Sequence, residues 1–317
     1  MDYQTIRREL LVALRGRFSQ AQVNRKLGYK FNQVYRWEAG MTGIPWPEFL
    51  CLARACKIDV ASALRRAFHY YEDPNRYDLF IRRLVGNSKA AEVARLNGFT
   101  PYRVRRWLNG VMPPDLDDVL SIIDRFSHVL IFFLGLLTDV SRISPLREEY
   151  KRRQRETEVL RAYPVSGAVL RALETGEYQA LPRHEEGWIS KKIGISLAEE
   201  RAILGGLRSA GLAAKKQGRY RPLSVAFDPQ GDFAAGVNLR LYWLHRARRY
   251  LEAMKPPQDR DCPTGQLVFS CSVEAQQRII TKYAAFFNEI RAILAADEAP
   301  PDRVYALGVQ LLDVSKV

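Results

Sequence analysis

Residues 20–40 read QAQVNRKLGYKFNQVYRWEAG, and residues 90–110 read AAEVARLNGFTPYRVRRWLNG. Laid over one another at an offset of 70, with no gap, Ala21, Val23, Arg25, Gly28, Val34, Arg36, Trp37 and Gly40 meet Ala91, Val93, Arg95, Gly98, Val104, Arg106, Trp107 and Gly110. The match continues to Leu50 and Leu120. An internal repeat of this kind means one supersecondary unit used twice. Each copy reads as a short helix, a tight turn at Gly28 or Gly98, and a second helix ending near Gly40 or Gly110.

Working outward, the first copy predicts five helices. Helix one spans Gln4–Leu14, with Ile6, Leu10, Leu11 and Leu14 on one face. Ser19 caps helix two, which turns Ala21, Val23 and Leu27 inward before Gly28 breaks it. Helix three is expected from Phe31 to Glu38, with Val34 and Trp37 on its buried side. Pro45 and Pro47 open helix four, and Asp59 caps a fifth helix ending near His69–Tyr71. After the break at Asp73-Pro74-Asn75 the plan repeats, with Thr100-Pro101 as a cap followed by a first-turn proline. Val129–Leu137, the fifth helix of this copy, is apolar on every side, unlike its counterpart Val60–Phe68. Such a helix is buried on every side, against another domain or a second subunit.

Pro145 starts a basic helix, Leu146 to Ala162. A third unit follows: helices over Val165–Leu173, Trp188–Ile193 and from Ser196 to Gly211, then a β-hairpin of Leu212–Lys216 and Arg219–Leu223 about Gln217-Gly218. Three helices and a hairpin is winged-helix order. A helix over Asn238–Met254 and the Pro256-Pro257 linker lead to strand Gln266–Val273, helix Glu274–Ala296 and strand Arg303–Val314. The expected fold is therefore mainly α: tandem five-helix helix-turn-helix domains (1–72 and 73–142), a basic linker helix (143–163), a winged-helix-like domain (164–230) and a helix with a small α+β C-terminal domain (231–317).

Formal charge is +14, and it is unevenly placed. Residues 1–140 carry 21 basic and 14 acidic side chains, residues 141–260 carry 23 and 14, and residues 261–317 carry 5 and 7. The first two stretches favour a polyanionic partner, nucleic acid first. Four scattered cysteines without a CxxC pair, and no secretory signal, point to a reducing, cytoplasmic setting, nucleoid-associated if DNA is the partner. The longest apolar run is too short for a bilayer, so no membrane partner is expected.

Ser19-Gln20, Gly28 and Glu38-Ala39-Gly40 resemble the phage repressor/Cro (Xre) family of helix-turn-helix proteins. The second copy departs from that pattern at Lys89-Ala90 and Leu108-Asn109-Gly110. Over residues 150–317, Leu204–Leu212 with the hairpin, Leu267–Val273, Asp302-Arg303-Val304-Tyr305 and Gln310-Leu311 resemble a bacterial regulator family whose C-terminal part is known only as a domain of unknown function. These resemblances imply a transcription regulator of repressor-like build.

In a repressor-like unit the exposed positions of helix three touch bases. Those are Lys30, Asn32, Gln33 and Arg36 in the first copy, and Tyr102, Arg103 and Arg106 in the second. Asn and Gln pair with adenine edges, Arg and Lys with guanine. Ser19, Gln20 and Arg105, and Lys215, Lys216, Arg219 and Arg221 on the hairpin, are phosphate candidates. The basic helix 147–155 reads as a solvated linker.

No nucleophile–base order, glycine-rich phosphate loop or metal-ligand spacing stands out, so no enzyme, cofactor or metal is expected. Cys51 and Cys56 read as buried thiols, and His184-Glu185-Glu186 as a surface turn. The expected function is sequence-specific binding of double-stranded DNA by a homodimeric regulator. Control would come through the C-terminal half, from a small molecule or a protein. The competing expectation is a protein-interaction adaptor that reuses the repeat to dock on other proteins.

Overall fold

The computed structural model describes residues 1–68, 73–86, 88–127, 129–223, 232–254, 264–297 and 299–313. It is mainly helical with one two-stranded sheet. The chain divides into two compact units, Met1–Lys151 with Ser272–Ile290, and Arg152–Cys271 with Arg291–Val317.

In the first unit, α1 (Tyr3–Arg15), α2 (Gln20–Leu27), α3 (Gln33–Glu38), α4 (Trp46–Ala55) and α5 (Val60–Phe68) are followed by α6 (Tyr77–Val85), α7 (Ala90–Asn97), α8 (Pro101–Leu108), α9 (Leu116–Ser127) and α10 (Leu130–Leu137). Less the offset of 70, α7 falls on α2 residue for residue. The turn glycines agree as well: Gly28 sits at φ 76°, ψ 16° and Gly98 at φ 72°, ψ 23°. Only glycine takes that left-handed geometry without steric cost, so each helix ends where its glycine stands. The packing within a copy repeats too, with α1 on α3 and α6 on α8, α2 on α4 and α7 on α9. The expected end of helix five, at His69–Tyr71, lies outside the described residues.

Burial follows the predicted pattern except in α2, where Ala21 is exposed and Leu27 only half-buried. Ile6, Leu10, Leu11, Leu14, Val23, Val34 and Trp37 are buried in the first copy, and Val93, Val104 and Trp107 in the second. Each such apolar side chain contributes about 1.5–3 kcal/mol on leaving water. Cys56 is buried at the C-cap of α4, whereas Cys51 is exposed, contrary to the expectation for both. Residues five apart lie on different faces of a helix.

The two copies share one continuous core. They also meet at equivalent positions. Pro45 and Asp115, which are 70 apart, form an antiparallel bridge. The Trp46 N–H donates to the Pro114 carbonyl at 2.9 Å, and the Leu116 N–H donates to the Ile44 carbonyl at 2.8 Å. Around this point α4 packs on α9, and α5 on α10, with Phe68 and Phe133 6.3 Å apart. Trp46 stacks on Phe80 of α6 at 6.0 Å and donates from Nε1 to the Pro74 carbonyl. On the other side Nη1 of Arg7 in α1 donates to both carboxylate oxygens of Asp117 in α9 at 3.1–3.2 Å. The apolar α10 packs against α5, α9 and the turn at Val140–Arg142 of its own unit, but not on every side as expected: Phe132 and Leu136 stay half-buried and Gly135 is exposed.

α11 (Arg147–Ala162) leads to the second unit, where Val159 joins the core. There α12 (Ser166–Glu174), α13 (Gly176–Ala180), α14 (Trp188–Ile193) and α15 (Leu197–Ser209) precede β1 (Ala213–Lys216) and β2 (Arg219–Pro222). The strands pair antiparallel, Lys216 opposite Arg219, about a two-residue turn with positive φ at Gln217 and Gly218. α15 starts in a capping box of Ser196 and Glu199. α16 (Phe233–Ala253) caps the carbonyls of Ile193 and Gly194 at the end of α14 through Arg246.

His184 does not sit on an open surface turn. Its Nδ1 meets the Tyr178 hydroxyl at 3.2 Å and its Nε2 faces Glu200 at 3.4 Å. Glu200 is buried and also accepts from the backbone N–H groups of Gly187 and Ser190 and from the Ser190 hydroxyl. The Tyr178 hydroxyl accepts from the Tyr220 N–H at 3.0 Å. One buried polar chain therefore ties α13, α14, α15 and the hairpin together. Burial lowers the His184 pKa against the pull of Glu200, keeping the ring neutral.

The expected strands at Gln266–Val273 and Arg303–Val314 do not form among the described residues. Residues 264–272 and 299–313 belong to no ladder, and Val314 lies outside the described residues. Alternation marks a segment able to join a sheet, but a strand exists only with a paired neighbour. Between them α17 (Val273–Ala296) forms as expected, and none of its described side chains is buried.

Candidate nucleic-acid interface

The residues predicted to face bases separate into exposed groups and groups held within the fold. α3 begins at Gln33, two positions later than expected, so Lys30 and Asn32 lie on the preceding turn. The reason is Asn24. Its buried amide donates to the Asn32 side chain at 2.8 Å and accepts the Val34 N–H at 3.1 Å, fixing the start of α3. In the second copy Ala94 replaces Asn24, and the Thr100 hydroxyl caps α8 instead, accepting from the Arg103 N–H. α8 therefore begins at Pro101.

On the outer face of α3, Arg36 is exposed and has no ion pair or hydrogen bond from its side chain among the described residues, and Gln33 is half-buried; Lys30, on the turn before, is exposed. Phe31, 84% exposed, and Tyr35 flank them, two aromatic groups the sequence reading passed over. The offset itself could have found Tyr35, because it stands where Arg105 stands in the second copy. On α8, Tyr102 is 67% exposed, with the Arg106 guanidinium 5.7 Å from its ring, and Arg105 is exposed.

Arg103 is held differently. Its guanidinium donates to Asp118 at 2.6 Å and lies 5.1 Å from the Trp107 ring. Burial pushes the Asp118 carboxyl up to about 7 against the pull of Arg103. Arg103 thus partners a carboxylate of its own unit, not an open helix face. Gln20 is committed in the same way. Its amide donates to the buried Glu38 at 2.6 Å, and Arg15 donates to the other Glu38 oxygen at 2.6 Å. Ser19 is exposed, closing a capping box with Gln22.

On the hairpin, Lys215, Lys216 and Arg221 are exposed, with Lys215 5.6 Å from the Tyr220 ring. Arg219 donates to the Gln179 carbonyl and fastens the hairpin to α13.

No described helix is long and apolar enough to cross a membrane. No curated protein and no solved structure matches this chain. Residues 167–314, from the start of α12 to beyond the last described residue, match a family model described as "Domain of unknown function (DUF4423)".

Proposed function

We propose that the protein is a transcription regulator that binds double-stranded DNA in a sequence-dependent way, using α3 and α8 as recognition helices of two repressor-like helix-turn-helix units. One observation carries this reading. Two helix–glycine-turn–helix segments with closely similar burial leave the outer faces of their second helices lined by Arg36 and Gln33, with Lys30 on the turn before, and by Arg105, Arg106 and Tyr102. Arg and amide groups on such a helix suit guanine and adenine edges in the major groove. The second unit would act as a winged-helix-like module, although the short α13 adds a fourth helix before the hairpin, and Lys215, Lys216 and Arg221 suit phosphate contact.

The C-terminal half would provide control and assembly. Leu267, Val268, Tyr305 and Leu312 are exposed on the segments before and after α17 in the chain, which join no ladder. Apolar surface of this kind favours a partner, for which we take a second copy of the chain. Sedimentation at micromolar concentration tests this: a strictly monomeric protein removes the homodimer.

The exposed Phe31, Tyr35 and Tyr102 also fit a protein-docking face, so the adaptor reading keeps an observation of its own. Fluorescence anisotropy on a pool of random duplexes, across a salt series, separates the two. DNA binding falls steeply with salt and enriches a preferred sequence. Absence of DNA binding at low salt overturns the proposal.

A further inference from the structure

Two tandem recognition units can be related by a translation or by a two-fold rotation, and the two cases demand different DNA. The contact between the copies decides which applies. At the bridge, position 45 of one copy meets its own equivalent, 115, of the other. The hydrogen bonds are reciprocal: residue 46 donates to 114 and residue 116 donates to 44, each pair equivalent to the other under the 70-residue offset. An operation that carries Ile44 to Pro114 and then Pro114 back to Ile44 is a two-fold rotation. A translation would place a residue against a non-equivalent one, with no reciprocal bond. The equivalent helices α4 and α9, and α5 and α10, also pack on each other, as elements beside a two-fold axis do, while α1 packs more extensively on α9 than α6 does on α4, so the rotation is approximate.

We infer that the DNA site of this protein is a quasi-palindrome, two unequal half-sites in inverted orientation, read by a single chain. The inference rests on the DNA-binding reading above. Inversion follows because operator symmetry mirrors the symmetry of the recognition helices. The inequality follows from what each helix exposes. α3 offers Gln33 and Arg36, with Asn32 tied to Asn24. α8 offers Tyr102, Arg105 and Arg106, with Arg103 tied to Asp118. An amide on one half and additional guanidinium on the other favour adenine within the first half-site and guanine within the second.

The test uses the full chain. Selection from a random duplex library yields the preferred half-sites. These are then placed in one set of duplexes as inverted, direct and everted repeats, with centres about 10 bp apart and at longer spacings. The inverted arrangement of unlike halves should bind at least about tenfold tighter than the others, with each site occupied by one chain, of a dimer or alone. Arg36→Ala should relax sequence preference in one half and Arg106→Ala in the other, each variant keeping the parent's circular dichroism. Equal or tighter binding to direct repeats overturns the inference, as does selection of two identical halves filled by two chains. Selection of no sequence, with binding that is salt-sensitive but uniform, defeats the DNA-reading proposal itself and the inference with it.

Discussion

The two copies in the first unit share their helix order and turn glycines and are locked by different chemistry. In the first copy, Arg15 and Gln20 hold the buried Glu38 and so bind the end of α1, the start of α2 and the end of α3. At the equivalent positions the second copy has Val85, Ala90 and Leu108. All three members are gone together. Another exchange occurs at the start of the fourth helix. Glu48 accepts from the Tyr29 hydroxyl, whereas at the equivalent positions the second copy has Asp118 and Phe99, which has no hydroxyl, and Asp118 takes Arg103 instead. A buried charge costs several kcal/mol without its partner, so such groups are lost or replaced as sets. A polar lock is one solution for a fold that an apolar contact fills equally well.

The largest expected effect breaks what the copies share. Trp46→Ala removes a fully buried ring beside the bridge, in contact with Phe49 and Phe80. It should cost about 3–5 kcal/mol in denaturant unfolding. A loss under about 1 kcal/mol would show that the join between the copies is not part of the cooperative core.

Next comes an exchange of locks. Arg15→Val alone strands the buried Glu38 carboxylate and should cost about 3 kcal/mol. The triple change Arg15→Val, Gln20→Ala and Glu38→Leu installs the second copy's residues and should recover most of that loss. Unfolding midpoints for the two variants decide it; a triple variant no better than the single one would mean the locks are not interchangeable.

A smaller effect separates two arginines that the sequence treats alike. Arg36→Ala should leave stability within about 0.5 kcal/mol, as exposed sites do. It should weaken the preferred duplex by about 1–3 kcal/mol. Arg103→Ala should instead lower the thermal midpoint, because Asp118 loses its partner. If both variants lose DNA affinity at unchanged stability, Arg103 faces DNA after all.

The remaining comparison is a pH dependence, which by linkage reaches about 4 kcal/mol for a shift of this size. Asp118 ionises near 3.8 when unfolded and near 7 when folded. Between those values the folded chain keeps a proton that the unfolded chain has released, so this group's contribution to stability falls as pH rises from about 4 to 7 and is level above. Asp118→Asn should remove that decline relative to the parent, measured as the difference in unfolding midpoint across the range. Parallel curves would show that Asp118 is ionised throughout.

Much of this architecture is legible in the chain itself. The 70-residue repeat, the breaks at Gly28 and Gly98, the caps at Ser19, Thr100 and Ser196, and the hairpin about Gln217-Gly218 are all read from residues within a few positions of one another. Apolar periodicity, capping and positive φ are local matters, and local sequence specifies them. What the tertiary structure alone decided is the partner of each polar group. Arg36 and Arg103 look equally suited to bases, yet one faces solvent and the other is drawn to Asp118, fifteen residues on. Gln20 is claimed by Glu38, His184 by Tyr178 and Glu200, and Arg7 by Asp117 across 110 residues. The two-fold relation of the copies belongs to the same class. A repeat states that a unit recurs, but the operation relating the copies depends on which faces bury most apolar surface when they meet, and that is settled by packing over the whole unit. The segments 266–273 and 303–313 show the same limit from the other side: alternation gives a segment the capacity to be a strand, and only a neighbour within hydrogen-bonding distance makes it one.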